Sequence, residues 1–114
     1  LDYVVRYGPT KNEQYTYAKH ADVIDRILTH LIENEKGIEL NTNGFRAGLG
    51  QPNPCADIMR RYHELGGEIV TIGSDAHTPD EIASHFDEAC DILKACGFRY
   101  YCIFQSRIPE YFKL

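Results

Sequence analysis

Residues 73–77, Gly-Ser-Asp-Ala-His, hold the side chains of this chain that are best suited to chemistry. Asp75 and His77 are two residues apart, so on an extended backbone both side chains point to the same face. A carboxylate and an imidazole are common ligands of zinc and related divalent metals. A catalytic zinc site usually has three protein ligands, so this pair accounts for part of one. We therefore interpret the stretch as half of a metal site.

Four β-branched or aromatic runs predict the strands that must position this stretch. They cover residues 3–7, 37–41, 68–72 and 98–104. The third run ends directly before the Asp-x-His pair, which places both candidate ligands at the carboxyl end of a strand. Residues 107–114 trail off the last strand and are not predicted to form an element.

Three helices are predicted between these strands. The spacing of Ile24, Ile27, Leu28, Leu31 and Ile32 gives one apolar stripe on a helix over residues 17–35. The second helix is predicted to follow Asn53 as N-cap and Pro54 at its first position, and to end at 66–67, a Gly-Gly pair. The third is predicted to open with a capping box over 78–81 and to close at Gly97.

Polar candidates also follow the strand at 37–41. Glu39 and Asn41 share one face of that strand, which either lines a polar cavity or is a solvent-exposed edge. The sequence alone leaves these two interpretations equal. Arg46 is the only cation between Lys36 and Arg60 and lies in a long loop after this strand, so it is a candidate anion anchor.

The predicted order β-α-β-α-β-α-β indicates an α/β fold with a parallel sheet and right-handed crossovers. The ligand-like residues collect after strands at one end of the sheet, as they do in TIM barrels. A complete barrel needs about 250 residues, and this chain has 114. We therefore interpret residues 1–114 as a single fragment, the C-terminal half of a TIM-like barrel.

Composition limits the classes of function. The chain is 43% hydrophobic with a formal net charge of -5, which suits one small domain and disfavours broad nucleic-acid binding. It has no apolar run of 18 residues, and its first residues do not resemble a signal peptide, so no membrane association is predicted. Four scattered cysteines without a C-x-x-C pair predict reduced thiols and a cytoplasmic protein.

Several segments resemble the histidinol-phosphatase branch of the polymerase and histidinol phosphatase (PHP) superfamily. The resemblance covers the whole chain in register, and its most specific part is the Gly-Ser-Asp-Ala-His motif with Glu-Ile-Val-Thr-Ile before it. The segments that carry it are 1–9, 37–44, 66–77, 97–98 and 104–109.

The resemblance implies a metal-dependent phosphomonoesterase on a distorted TIM-like barrel. Such an enzyme converts histidinol phosphate and water to histidinol and phosphate in histidine biosynthesis, with two or three divalent ions of zinc, manganese or iron. Asp75 and His77 match the family's last pair of metal ligands and are the catalytic candidates. Arg6 and Arg46 are candidates for binding the substrate phosphate. The remaining matches are predicted to orient the ligands or to line the cavity: Glu39, Asn41 and Ser74.

The family's other metal ligands precede the region that this sequence covers, and one of them is a histidine directly before Leu1. The resemblance therefore implies that the fragment alone is inactive. Because the open half of a barrel exposes strand edges, self-association is also predicted.

Two alternatives stay open. One is another PHP phosphoesterase or a polymerase-associated nuclease, although the segments at 6–9 and 104–109 favour the histidinol-phosphatase branch. The other is a non-catalytic α/β module in which Asp75 and His77 serve a local structural role. Under the main interpretation the protein binds a small phosphorylated substrate and binds neither nucleic acid nor a membrane.

Overall fold

Two small sheets and four α-helices form the fold in a computed structural model, which describes residues 1–114 except for the side chain of Asn12. The strands are β1 (Ile38–Asn41), β2 (Val70–Gly73), β3 (Tyr100–Gln105) and β4 (Ile108–Lys113). The helices are α1 (Ala21–Glu33), α2 (Asn43–Arg46), α3 (Ala56–Glu64) and α4 (Phe86–Ala95). Short 3-10 helices cover Tyr3–Tyr7, Lys11–Glu13, Tyr17–His20 and Pro79–Glu81.

The parallel pair of β1 and β2 positions the candidate site. Ile38 lies opposite Val70 and Asn41 opposite Gly73, so both strands end at the same edge. Leu40 and Val70 point into the core and are fully buried. The polar segments that follow the two strands, residues 42–46 and 74–77, therefore emerge side by side.

The helices bury most of their predicted apolar stripes against this pair, although Ile27 of the α1 stripe is 40% exposed. The core is formed by Ile24, Leu28, Leu40, Cys55, Ile58, Met59, Tyr62, Val70, Ala89, Leu93, Cys96 and Phe98. Burying such side chains stabilises a fold by about 1.5–3 kcal/mol each before the loss of chain entropy is counted. All four cysteines are free thiols, and three of them are buried, as the sequence predicts.

The prediction of a strand at 3–7 is wrong, since the segment forms a 3-10 helix. Its backbone hydrogen bonds are local, and the Val5 N–H donates to the backbone carbonyl oxygen of Asp2 at 3.0 Å. A strand needs a partner edge, and within the part of the chain that the structure describes this segment pairs with none. The Asp2 carboxylate is buried and accepts the Cys55 N–H at 2.7 Å, which ties the segment to the start of α3.

The parallel alternation of four strands is also corrected. The tail predicted to lack structure forms β4, which pairs antiparallel with β3 as a hairpin. The turn residues Ser106 and Arg107 both have positive φ, 51° and 68°, as a two-residue hairpin turn of this kind requires. The fold class of the described chain is thus mixed α/β, with one parallel pair and one hairpin.

Two helix starts differ from the prediction. Asn53 is not an N-cap, because its N–H and C=O exchange hydrogen bonds with Asn41, and α3 begins only at Ala56. The residues after Thr78 form one short 3-10 turn, and α4 begins at Phe86. Both helices end where glycines were predicted to stop them, with Gly66 and Gly97 at positive φ.

Within the residues described, no helix combines the length and the apolar character needed to cross a membrane.

Candidate functional site

A cavity of about 530 Å³ lies at the carboxyl ends of β1 and β2. Four residues predicted from the sequence line it together, although they are far apart in the chain: Arg6, Arg46, Asp75 and His77. Three further lining residues carry polar groups that the sequence did not single out for chemistry: Tyr3, Asn43 and Glu81. The structure therefore brings the predicted ligands and the predicted phosphate anchors to one place, and their roles stay predictions.

Asp75 presents a carboxylate that is held from one side. Its backbone has φ 51°, a left-handed conformation that aspartate tolerates better than most residues. The Asn43 side-chain amide donates to Asp75 Oδ2 at 2.7 Å. No described residue donates to Asp75 Oδ1, so this oxygen stays available to a cation.

The ring of His77 is oriented by the backbone of the same loop. His77 Nδ1 lies 2.8 Å from the Asp75 carbonyl oxygen. Because a carbonyl oxygen only accepts hydrogen bonds, Nδ1 must carry the proton, which leaves the lone pair of Nε2 free in the neutral ring. Metal-binding histidines are commonly held in this way, with one nitrogen donating to a carbonyl and the other facing the metal.

Arg46 holds the loop that carries both candidate ligands. Its Nη2 donates to the backbone carbonyl oxygen of Ser74 at 2.7 Å and to that of Asp75 at 3.1 Å. Its Nη1 donates to Ser84 Oγ at 2.7 Å. Ser74 thus contributes to the site through its carbonyl oxygen. Arg46, the predicted anion anchor, therefore also stabilises the conformation of the loop.

Glu81 contacts both the loop and Arg46. Its Oε2 accepts the His77 N–H at 2.7 Å and lies 3.6 Å from Arg46 Nη2. The hydrogen bond from His77, with a smaller effect of the Arg46 charge, holds the pKa of this carboxyl below its usual value. The carboxylate is therefore charged and committed to the loop.

Arg6 also lines the cavity and belongs to the 3-10 helix at Tyr3–Tyr7. Its guanidinium lies 5.6 Å from the ring centre of Tyr3 and 5.7 Å from that of Tyr7. Its Nη1 also donates to the Tyr3 hydroxyl at 3.1 Å. Two aromatic rings thus hold a cation at the edge of the cavity without neutralising its charge.

Glu39 and Asn41 line a different, smaller cavity of about 300 Å³. The Asn41 amide donates to Glu39 Oε1 at 3.0 Å, while Asn41 Oδ1 accepts the Asn43 N–H at 2.9 Å. Asn41 therefore contacts the lining of the main cavity through the backbone of Asn43. The Glu39 carboxylate also packs on Gly73, where an added Cβ would lie 2.6 Å from its carboxyl carbon.

The donor set fits part of a metal site. Asp75 and His77 offer an open carboxylate oxygen and an open imidazole nitrogen, both suited to zinc. Among the described residues, no group of three histidine, cysteine, aspartate or glutamate side chains is placed to hold a metal ion. The described chain thus supplies two candidate ligands for a site that needs more.

Sequence patterns do not single out Asn43 and Glu81, for different reasons. Asn43 lies in an Asn-Thr-Asn-Gly stretch that resembles ordinary turn chemistry. Glu81 stands three residues after Thr78, which predicts a capping box, and the structure shows no side-chain cap from Thr78. The useful signal for Asn43 was its position just after the predicted strand at 37–41, which already carried candidate residues, whereas Glu81 lies well beyond the strand at 68–72 and had no such signal.

No family model matches the chain. Over 90% of its length it is 39% identical to a probable histidinol-phosphatase of Thermotoga maritima, covering 42% of that protein. Over 93% of its length it is 30% identical to the histidinol-phosphatase of Lactococcus lactis, covering 39% of that protein. The chain therefore spans about two-fifths of the length of these curated relatives.

A solved structure gives the same result for the fold. It is the histidinol phosphate phosphatase of Lactococcus lactis in complex with zinc, L-histidinol and phosphate. The TM-score is 0.76 at 29% identity, over 96% of this chain and 41% of that one. The resemblance to histidinol-phosphatases is thereby confirmed, as a similarity to one part of those proteins.

Proposed function

We propose that the protein containing this chain is a metal-dependent phosphomonoesterase that hydrolyses histidinol phosphate to histidinol and phosphate. The observation that carries the proposal is the convergence of Asp75, His77, Arg6 and Arg46 on one cavity. Similarity to histidinol-phosphatases over 90% of the chain supports the choice of substrate. Under this proposal the cavity holds the phosphate end of the substrate.

Asp75 and His77 hold a divalent metal ion from one side in this proposal. The zinc in the solved relative makes zinc the first choice, with manganese and iron as the other members of the predicted class. When bound, such ions lower the pKa of a coordinated water and offset negative charge on the phosphoryl oxygens. Asp75 supplies negative charge toward the ion, and His77 supplies its Nε2 lone pair.

Arg6 and Arg46 bind the phosphate in this proposal, since they are the two cationic side chains that line the cavity. A guanidinium fork such as that of Arg6 matches the spacing of two phosphate oxygens and forms short, charge-assisted hydrogen bonds with them. Arg46 already donates to the Ser74 and Asp75 carbonyl oxygens and to Ser84 Oγ, so it contributes mainly its positive charge. Tyr3 and Tyr7 keep the Arg6 guanidinium in place before the substrate arrives. This preorganisation orients the phosphorus toward the metal ligands.

We further propose that residues 1–114 form the C-terminal part of a TIM-like barrel in a cytoplasmic enzyme. The short coverage of the relatives and the two-ligand donor set both support this reading. The remaining ligands would then come from the rest of the protein. The isolated chain should accordingly show no phosphatase activity.

Replacing Asp75 tests the proposed site in the intact protein. Asp75→Asn is the sharper variant, because asparagine also tolerates the left-handed backbone while losing the charged ligand oxygen. We expect zinc content to fall and turnover of histidinol phosphate to drop by more than about 100-fold, beyond the usual effect of groups that merely support a ligand. Metal analysis and phosphate release measure the two effects.

Asp80→Asn is the matched control, since Asp80 is exposed and does not line the cavity. It should retain both zinc and activity. An Asp75→Asn enzyme with full zinc content and full turnover would contradict the assignment.

A further inference from the structure

Glu81 connects the two halves of the candidate site through one carboxylate. Its Oε2 accepts the backbone N–H of His77 and also faces the guanidinium of Arg46. The side chains of Arg46 and Glu81 are only 21% and 30% exposed, so solvent screens their attraction less than at an open surface. One half-buried group thus touches both the predicted ligand loop and the predicted phosphate anchor.

The segment after β2, residues 74–84, contacts Arg46 near both of its ends. The guanidinium holds the Ser74 and Asp75 carbonyls near the start of the segment and Ser84 near its end. Thr42 strengthens both ends, because its N–H donates to the Gly73 oxygen at 2.8 Å and its hydroxyl to the Ser84 oxygen at 2.7 Å. Glu81 is the side chain that returns from the middle of the segment.

The helix-capping role expected of Glu81 accounts for only part of this geometry, because the backbone N–H groups of His77 and Thr78 both lower the pKa of its carboxyl, with His77 the larger cause. Glu81 ends the three-residue 3-10 helix Pro79–Glu81, and α4 begins at Phe86. The carboxylate accepts the N–H of His77, which lies outside that short helix. The carboxylate therefore holds the ligand loop in addition to the start of the short helix.

We propose that Glu81 is a positioning residue that fixes the His77 backbone and the Arg46 guanidinium in one arrangement. Glu81 acts through these two residues and has no reacting atom of its own. Removing its carboxylate leaves the His77 N–H without its acceptor and removes the charge partner of Arg46, which keeps its hydrogen bonds to Ser74, Asp75 and Ser84. The His77 backbone then loses its fixed position relative to Arg46, and the ligand pair loses its alignment with the phosphate anchor. This inference rests on the proposed function of the site.

The test compares Glu81→Ala with Glu81→Gln in the intact protein. The alanine variant should lower both zinc affinity and kcat/KM by about 10–100-fold, the usual effect of losing a group that orients a metal ligand. The glutamine variant keeps an oxygen that can accept the His77 N–H, so it should recover most of the lost zinc affinity. Asp80→Ala removes an exposed neighbouring carboxylate and should change neither quantity.

Zinc affinity is measured well below the unfolding temperature of each variant, so that a general loss of stability does not imitate the effect. A Glu81→Ala protein with wild-type zinc affinity and wild-type kcat/KM overturns the inference and leaves the proposed function intact. A wild-type protein that binds zinc but does not hydrolyse histidinol phosphate overturns the proposed function. In that case, weaker zinc binding by Glu81→Ala still supports the positioning role.

Discussion

Asp75 and His77 could be selected from the sequence because their chemistry is local. They stand two positions apart after an apolar run, and both types of side chain bind divalent metals. Asn43 and Glu81 could not be selected in this way, because their contacts depend on the tertiary fold. Asn43 lies 32 positions from Asp75, and only the parallel pairing of β1 and β2 brings their side chains together.

The hydrogen bonds of Arg46 illustrate the same limit. Its lone positive charge after a strand predicts an anion anchor, and the structure places it in the expected cavity. Its bonds to Ser74 and Ser84 span 28 and 38 positions, and no spacing rule predicts them. Sequence patterns thus identify which side chains are chemically able, whereas the fold decides which of them cooperate.

Away from the cavity, Asp25 forms an ion pair that predicts a pH-dependent stability. Arg61 donates to both carboxylate oxygens, with its Nη2 2.8 Å from Oδ2, and the Tyr17 hydroxyl donates to Oδ1. These hydrogen bonds, from Arg61 foremost and then Tyr17, hold the pKa of the Asp25 carboxyl below its usual value. The pair joins α1 to α3.

Because the pKa of Asp25 is lower in the folded state, its stabilising effect is complete above the unfolded value of about 4 and is lost as the pH falls through the folded value. Asp25→Asn should therefore lower the urea midpoint of unfolding at pH 7, and the gap to wild type should shrink toward pH 3. Glu110→Gln, at an exposed position of β4, is the control. A gap that is constant or grows in acid would contradict this account.

Among the elements, the helices were predicted better than the strands. The apolar stripe of α1 is a local pattern that packs the same way in many folds, and it is buried as predicted through Ile24 and Leu28. The segment at 3–7 has strand-forming residues, yet a strand depends on a neighbouring edge that the sequence does not specify. Helix periodicity is thus the more transferable signal here.

β4 was missed because its local signals argue against a hairpin. Its turn is Ser106-Arg107 rather than the Asn-Gly or Asp-Gly that usually marks such turns. Pro109 also lies inside the strand, where proline is tolerated only because β4 is an edge strand. The antiparallel pairing of β3 with β4 stabilises a hairpin that the turn sequence does not predict.

The hairpin carries an exposed apolar face that supports the predicted self-association of the isolated chain. Tyr101 pairs with Phe112 and Gln105 with Ile108, so these side chains share one face with Ile103. Ile103 is 51% exposed and Ile108 is 66% exposed. Glu110 lies opposite Ile103 and interrupts this face with a charge, but the apolar side chains around it favour contact with a second copy when nothing else covers them.

Sedimentation of the isolated chain measures this effect. The wild-type chain should associate as its concentration rises, and Ile103→Lys should weaken the association by placing a charge on the apolar face. Gln105→Lys adds the same charge at a position on that face that is already polar, and it should have a smaller effect. A folded wild-type chain that stays monomeric at high concentration would count against the prediction.

As a whole, the molecule combines a partial candidate site with similarity to enzymes of one specific reaction. The chain spans about two-fifths of the length of its relatives. It contributes two candidate metal ligands, two arginines and the residues that hold them. The motif at 73–77 and the flanking segments indicated this relationship from sequence. Composition and periodicity alone indicated only an α/β protein, because fold class does not determine chemistry.

The most direct test is the substrate preference of the intact protein loaded with zinc. The account predicts release of phosphate from histidinol phosphate, loss of that activity after chelation of the metal, and its return when zinc is restored. It predicts no comparable cleavage of a single-stranded oligonucleotide, the substrate expected of a polymerase-associated nuclease. Cleavage of the oligonucleotide by the zinc-loaded protein, without phosphate release from histidinol phosphate, would contradict the account.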